Sequence, residues 1–590
     1  MKYKLNTGAE SQSKKKGVLV SIKERLLPLL LVERIYIVFA FLAIVVTSAS
    51  SLIAPVLIAK TIDTAIANGD MGGVWVSALL LLGVFLVGLV SSYLQVRLMG
   101  GVGRRVLFQL RNKLFSKLGA LPVSFFNQNK SGDLISRINN DTDKLNQFFS
   151  QALIQFVGNG VMIVGAGMFL VIIHPALGVA ALVPALVVLG ITQWISPWMA
   201  RTSLGSLQKL GGLSGEIQES LTNFKVVVAF NRLDYFRDRF REVNDQNYHA
   251  SVRAGIASGT LNPLYGLAST GAQLIVVVYG VSLISAGDLT IGALIGYLLY
   301  VSSFYMPLRQ LAAVWASMQT ALAGLDRIME VLVMESDMAQ LEKQENVTVG
   351  QHPLLQFRDV SFQYDDSVSV LRNIQMTLEA GKTYALVGPT GGGKTTTAFL
   401  MSRLYDPTSG EIYFHGHPLQ SYSAEERSQK IGFILQEPFL FSGTLAENIL
   451  YGNKKYSENK LENIESLFVA TGLDTLLSRF PDGLNTRVVS TGDGLSLGQK
   501  QLIAFMRAVL RDPELLILDE ATANVDTVTE QLLEHILLKL PASTTKVIIA
   551  HRLNTIENAD EIYFVNGGTI IRAGNKEEAL ELLIHRKRAG

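Results

Sequence analysis

Six apolar stretches, near residues 35–58, 74–97, 152–173, 175–197, 259–283 and 290–312, constrain this chain more than any other feature. Each can cross roughly 30 Å of hydrocarbon as a helix, which takes about 20 residues. None carries a charge near its centre, as burial in lipid requires. A membrane half follows, and it explains why 48% of the residues are hydrophobic and only 17% charged. The remainder reads as ordinary globular α/β sequence, and 590 residues exceed what one core organises. A net charge of +2 is too small to point to nucleic acid. With no cysteine, disulfides, thiolate metal sites and a cysteine nucleophile are excluded.

The connections carry topology. Short links join the first and second stretches, the third and fourth, and the fifth and sixth; His174-Pro175 is almost the whole of the middle one. Long polar segments with helical patterning separate the second from the third and the fourth from the fifth, so helices are expected to continue beyond the membrane. Arg104, Arg105, Arg111, Lys113 and Lys117 lie in the first long segment, and Arg232, Arg237, Arg239, Arg241 and Arg253 in the second. The positive-inside rule therefore puts both termini and both long loops in the cytoplasm. The polar tail with Lys14, Lys15 and Lys16 does not read as a cleavable signal peptide. In FFNQNKSGDLISRINND, Gly132 ends a short helix and Asp133 starts the next. Either this is a solvated turn, or Phe125 and Phe126 dock on a cytoplasmic domain, because exposed apolar side chains need a partner. NFKVVVAFNRLDYF offers a second segment of the same kind.

After about residue 330 a charged linker leads into the alternating strand pattern LQFRDVSFQY. YALVG is a short apolar strand that runs directly into GPTGGGKT and then a helix, the context a phosphate-binding loop requires. Gly388, Thr390, Gly391, Gly392 and Gly393 let backbone amides wrap a β-phosphate, assisted by the dipole of the following helix. Lys394 reaches the β- and γ-phosphates; Thr395 ligates Mg²⁺, and Thr396 follows it in the nucleotide-binding run. LLILDE is a buried parallel strand ending in two carboxylates. Asp519 suits a hold on Mg²⁺, and Glu520 suits polarising an attacking water. IIAHR delivers His551 to the same edge of the sheet, where α/β ligands bind.

Together these residues resemble the exporter-type ABC transporters, over nearly the whole chain. GPTGGGKT looks like the Walker A motif and LLILDE like Walker B. The resemblance implies further roles. Gln436 matches the glutamine that touches Mg²⁺ and senses the membrane domain. Tyr364 matches the aromatic that stacks on adenine, and LSLGQ (Ser496, Gly498, Gln499) the signature. Asp526 matches the D-loop and His551 the switch histidine. It implies a six-helix transmembrane domain fused to an α/β P-loop nucleotide-binding domain. The expected boundaries are 1–34 for a cytoplasmic tail and elbow, 35–330 for the membrane domain, 331–352 for a linker and 353–590 for the ATP-binding domain. Coupling helices are expected near 121–131 and 222–236. Such half-transporters pair, each ATP being clamped between one subunit's phosphate loop and the other's signature. The implied setting is the bacterial inner or plasma membrane, with ATP and Mg²⁺ as cofactors.

One departure matters. The third residue of the signature, usually glycine, is Leu497, whereas the phosphate loop, Glu520 and His551 look intact. That asymmetry resembles one half of heterodimeric exporters, where one composite site is competent and the other degenerate; a homodimer that tolerates Leu497 is the alternative. Tyr265, Tyr279, Tyr297, Tyr300, Phe304, Tyr305 and Met306 are candidate cavity residues, with Gln155, Asn159, Asn262 and Gln273 as uncharged polar points. Such a lining suits hydrophobic or amphipathic molecules of the drug or lipid class, although aromatic residues in spans more often pack or anchor. An importer on the same plan, for example for siderophores, and an ATP-dependent regulator or sensor are the rival functions.

Overall fold

In a computed structural model, the chain divides into two compact units. Residues 3–5, 31–336, 338, 340–342, 352–364, 368–453, 468, 473–489, 494–519, 527–549, 558–573, 577–578 and 581–582 are described. Unit one contains Met1–Leu5, Ala120–Ser131 and Met334–Gly590; unit two contains Asn6–Gly119 and Gly132–Val333.

Among the described residues, unit two is helical. Its long helices are α1 (Arg34–Ile66), α2 (Met71–Gly119), α4 (Ser131–Ile173), α5 (Pro175–Thr222), α7 (Leu233–Ala286) and α8 (Ile291–Val333). Two six-residue helices, α3 (Val123–Gln128) and α6 (Phe224–Ala229), interrupt the polar segments. All six long helices are long and apolar enough to cross a membrane. The 49 residues of α2 extend roughly 73 Å at 1.5 Å per residue, far more than a bilayer needs. Large apolar side chains face outward: Leu79, Leu186, Trp194 and Leu267 are all exposed. Outward apolar faces suit hydrocarbon as solvent, with backbone groups satisfied inside each helix.

The core of these spans corrects the cavity assignment. Tyr297, Tyr300, Tyr305 and Tyr265 are buried among Leu170, Leu177, Ala181 and Val276. Their hydroxyls are engaged: Tyr297 donates to the carbonyls of Leu170 (2.6 Å) and His174 (2.9 Å), Tyr300 to Leu52 (2.5 Å) and Tyr305 to Ala181 (2.9 Å). Tyr265 accepts from Thr192 at 3.3 Å. Phe169 stacks on Tyr300 with centroids 5.1 Å apart. A buried hydroxyl needs a partner, and here neighbouring helices supply one. These four rings are packing, not lining. Asn159 is also buried, Gln273 donates to Ser302, and Tyr279, Met306, Gln155 and Asn262 remain exposed.

The polar foot of α4 differs from expectation as well. The helix begins at Ser131, so Gly132 and Asp133 lie in its first turn rather than before it. π-Turns interrupt it at Arg137–Asp141 and Phe148–Ala152.

In unit one the ATP-domain segment holds three sheets among the described residues. β1 (Leu355–Gln363), β2 (Ser369–Leu378), β4 (Ser409–Phe414) and β5 (His417–Pro418) form an antiparallel sheet in the order β2-β1-β4-β5. β3 (Thr383–Val387), β6 (Ile431–Ile434), β9 (Leu515–Asp519), β10 (Thr545–Ile549), β11 (Glu561–Asn566) and β12 (Thr569–Arg572) form the second, ordered β12-β11-β3-β10-β9-β6. Every neighbouring pair in it is parallel except β11–β12. β7 (Gly443–Thr444) and β8 (Arg487–Val488) make a small third ladder. Leu515–Asp519 is buried at every position, the signature of a central parallel strand covered on both faces. The Ala120–Ser131 part of the first polar segment belongs to this unit: Asn127 at the end of α3 donates to the Tyr405 hydroxyl at 2.6 Å. The N-terminal residues bind the same place, Leu5 N–H donating to Asn129 Oδ1 at 2.9 Å and Asn129 Nδ2 to the Tyr3 carbonyl at 2.8 Å.

Candidate functional site

Parallel strands deliver their C-terminal ends to one edge, and β3, β6, β9 and β10 all end there. Three of the four ends carry sequence-predicted residues that the structure describes. β3 opens into Gly388–Gly393 and then α9 (Lys394–Met401). Gly388, Gly391 and Gly393 adopt φ of +147°, +80° and +113°. At Gly388 a Cβ would lie 2.0 Å from the Val565 carbonyl oxygen, and at Gly392 2.6 Å from the same atom. The loop is therefore pressed against β11, in a backbone path closed to side chains at these positions. Gly393 precedes α9, whose N-terminal end and dipole favour an anion.

Lys394 is buried, and its ammonium donates to the carbonyls of Gly388 (2.8 Å) and Pro389 (3.1 Å) across the loop. Thr395 donates its hydroxyl to Asp519 Oδ1 at 3.2 Å, joining the start of α9 to the end of β9. Asp519 is 2% exposed. A hydroxyl and a carboxylate oxygen side by side are the hard donors that Mg²⁺ takes, so this pair fits the ion. Gln436 is exposed, two residues beyond β6, the strand that pairs with β9. Thr390 lies exposed at the loop tip and Thr396 is buried.

Tyr364 follows β1 and is 43% exposed. Its hydroxyl shares a hydrogen bond with Thr396 Oγ1 at 3.0 Å, and its ring meets Phe362 and Tyr405 edge-on at 4.8 and 5.2 Å. Burial raises the Tyr364 hydroxyl pKa, which keeps it protonated and able to donate. An aromatic ring is thus anchored beside the phosphate loop.

The LSLGQ segment opens α10 (Leu497–Val509). Ser496 is its N-cap in a reciprocal box: Ser496 Oγ accepts from the Gln499 amide at 3.1 Å, and Gln499 Oε1 accepts from the Ser496 amide at 2.9 Å. Gln499 Nε2 also donates to the Arg479 carbonyl at 3.1 Å, so this side chain organises the helix start. Leu497 is the first helical residue and is 41% exposed. Glu520, Asp526 and His551 lie outside the described residues; Asp519 and Ile549, the last residues of β9 and β10, are paired in register.

One group of charged residues escaped the sequence reading. Asp133, Arg137 and Asp141 recur every fourth residue in GDLISRINND, with alternating sign, a spacing that by itself names no partner. The structure ties them to Arg327 and Glu330 near the end of α8.

Comparison with known proteins agrees with this architecture. Residues 37–308 match the family described as ABC transporter transmembrane region, and residues 371–523 match the family described as ABC transporter. The chain is 33% identical to the uncharacterized ABC transporter ATP-binding protein YfiC of Bacillus subtilis, over 97% of this chain and 94% of that protein. It is 33% identical to a fatty acid ABC transporter ATP-binding/permease protein of Mycobacterium tuberculosis, over 87% and 80% of the two chains. It is 31% identical to an ATP-dependent lipid A-core flippase of Pectobacterium atrosepticum, over 93% and 94%. With six spans, one phosphate loop and one signature, this chain belongs to the exporter-type ABC transporters as an integral membrane half-transporter whose ABC ATPase drives transport.

Proposed function

We propose that this chain exports hydrophobic or amphipathic molecules of the lipid or drug class, as one subunit of a heterodimer in a bacterial plasma membrane. The cargo class is supported by relatives named for fatty acids and lipid A-core, and by an apolar, aromatic-rich cluster among the spans. Heterodimer formation rests on one observation. Leu497 stands exposed at the first turn of α10, at the position where backbone would have to approach a γ-phosphate. A four-carbon side chain there holds a phosphate away. The competent composite site then pairs this chain's Lys394, Glu520 and His551 with a partner's unaltered signature. The second site pairs Ser496, Gly498 and Gln499 here with a partner that lacks a catalytic carboxylate.

Lys394 is placed by its two carbonyl partners at the mouth of the loop, where it meets β- and γ-phosphate oxygens. Thr395 and Asp519 would hold Mg²⁺, with Gln436 completing the set from two residues beyond β6; a bound ion would supply charge to offset that of the phosphates. Tyr364 receives the adenine face, and Asp526 belongs to the interface between the two ATP-binding domains. Glu520 orients and polarises the water, and His551 contacts the γ-phosphate. Phosphoryl transfer needs positioning and charge stabilisation rather than a covalent enzyme intermediate. The Asn127–Tyr405 hydrogen bond supports α3 as one coupling helix, with the segment 222–236 around α6 as the other.

Two measurements test this. Glu520→Gln retains ATP binding and slows hydrolysis at least ~100-fold, about 2.7 kcal/mol of barrier; unchanged turnover removes the assignment. The chain purified alone has little substrate-stimulated ATPase activity, and full stimulated activity as a homodimer rules out the heterodimer.

A further inference from the structure

Three carboxylates and three cations gather where α4 and α8 approach each other inside unit two. Arg137 is 1% exposed and Asp141 is 0% exposed. The Arg137 guanidinium donates to Asp133 Oδ2 at 3.0 Å, Glu330 Oε2 at 2.7 Å and the Arg327 carbonyl at 2.5 Å. Arg327 pairs in turn with Asp133 and, at 3.2 Å, with Asp141. Lys144 closes the set on Asp141 at 2.9 Å. Arg137 and Asp141 bound one of the π-turns of α4, a distortion that accumulates at functional positions.

Stability alone is a poor reason for such a cluster. Desolvating ion pairs costs about as much as their attraction returns, and packed apolar residues commonly serve as well. Location supplies a better reason. The chain passes between the two units at Ser131/Gly132 and again at Val333/Met334. Asp133 lies just inside the first crossing and Glu330 just inside the second. One guanidinium therefore grips both helices, α4 and α8, next to these two crossings. A planar fork with several donors holds two partners in fixed relative orientation, which a single lysine cannot do.

We propose that Asp133, Arg137 and Glu330, backed by Asp141, Arg327 and Lys144, form a positioning clamp. It makes the foot of α4 and the end of α8 move as one body, so that ATP-driven displacement reaches the spans. The clamp rests on the ATP-driven transport assigned above and adds positioning residues outside the proposed nucleotide-binding set.

The absence of cysteine allows a clean test. Spin labels are placed through Asn68→Cys and Asp288→Cys, both exposed in the connections at the ends of the spans, in the full-length transporter with its partner in nanodiscs. Distances are measured with and without Mg·ATP plus vanadate. The parent pair shifts its distance distribution on trapping; a parent that does not shift contradicts ATP-driven rearrangement itself, not the clamp. In the triple variant Asp133→Asn/Arg137→Met/Glu330→Gln, ATP binds within twofold of the parent while the shifted population falls at least fivefold. A milder variant, Glu330→Gln, removes one of the links from α8 to Arg137 and loses about half of that population. A purely structural network would instead lower the melting temperature and leave the shift intact in the folded fraction. Either variant shifting like the parent overturns the clamp.

Discussion

The phosphate loop allows strain and steric overlap to be separated by three glycine-to-alanine substitutions. At Gly391, φ is +80° and no atom lies within 4 Å of an added Cβ, so only backbone strain applies. At Gly392 the φ is ordinary but the Cβ meets the Val565 carbonyl oxygen at 2.6 Å and that of Pro389 at 3.1 Å, so only overlap applies. Gly388 combines a φ of +147° with a Cβ 2.0 Å from the Val565 oxygen, far inside the ordinary contact range that starts at 3.4 Å. Strain of this kind costs about 1–2 kcal/mol and overpacking about 1–3 kcal/mol. β11 is held between β3 and β12 and cannot retreat easily. The loop escapes by abandoning the path that binds phosphate, so the cost falls on affinity. Gly391→Ala should weaken Mg·ATP binding roughly five- to thirtyfold, and Gly392→Ala over a similar or wider range. Gly388→Ala, at about 2–5 kcal/mol, should weaken it from roughly thirtyfold to several thousandfold. Calorimetric titration of full-length protein in nanodiscs measures all three. Gly388→Ala binding within threefold of the parent, or more tightly than Gly391→Ala, refutes the reasoning.

Tyr300→Phe removes a hydroxyl bonded to the Leu52 carbonyl and should cost about 1 kcal/mol of stability, leaving the transport KM for a fluorescent phospholipid unchanged; a raised KM would return Tyr300 to the cavity. Glu514 has its pKa held down to about 2, first by its hydrogen bond from His415 and then by Lys430. Because the folded value is depressed, the stabilisation is complete above the ordinary value of 4.5 and fades as pH falls towards 2. With 39% of the side chain exposed, solvent screening reduces it to about 1 kcal/mol. Thermal melts of Glu514→Gln should show that deficit at pH 7 and a shrinking one below pH 4.5; a deficit that grows on acidification is the contrary result. Tyr405→Phe removes the acceptor of Asn127 and should lower transport per ATP hydrolysed at least threefold, read as the ratio of lipid translocation to phosphate release; an unchanged ratio denies α3 a coupling role.

Much of the architecture was legible because lipid and phosphate impose blunt requirements. Span length follows from bilayer thickness, and a glycine run between a strand and a helix has few other uses. The neighbourhood of Thr395 and Asp519 follows from parallel strands ending at one edge. Side-chain direction inside the bundle was not legible. Tyr297, Tyr300 and Tyr305 look like lining residues until their acceptors, carbonyls on three other spans more than a hundred residues away, are known. The Asp133–Arg137–Asp141 spacing was visible, but its partners Arg327 and Glu330 lie 194 and 193 positions from Asp133 and Arg137. Asn127 and Tyr405, 278 positions apart, were likewise beyond local pattern. Sequence-distant pairing of this sort leaves no periodic trace.

The most direct measurement is nucleotide trapping in proteoliposomes that contain the full-length chain and its partner. With 8-azido-ATP, Mg²⁺ and vanadate, trapped nucleotide should crosslink to the peptide that contains Tyr364, and Lys394→Met should abolish trapping. No trapped nucleotide, or a crosslink confined to peptides remote from Tyr364 and Gly388–Thr396, would contradict it.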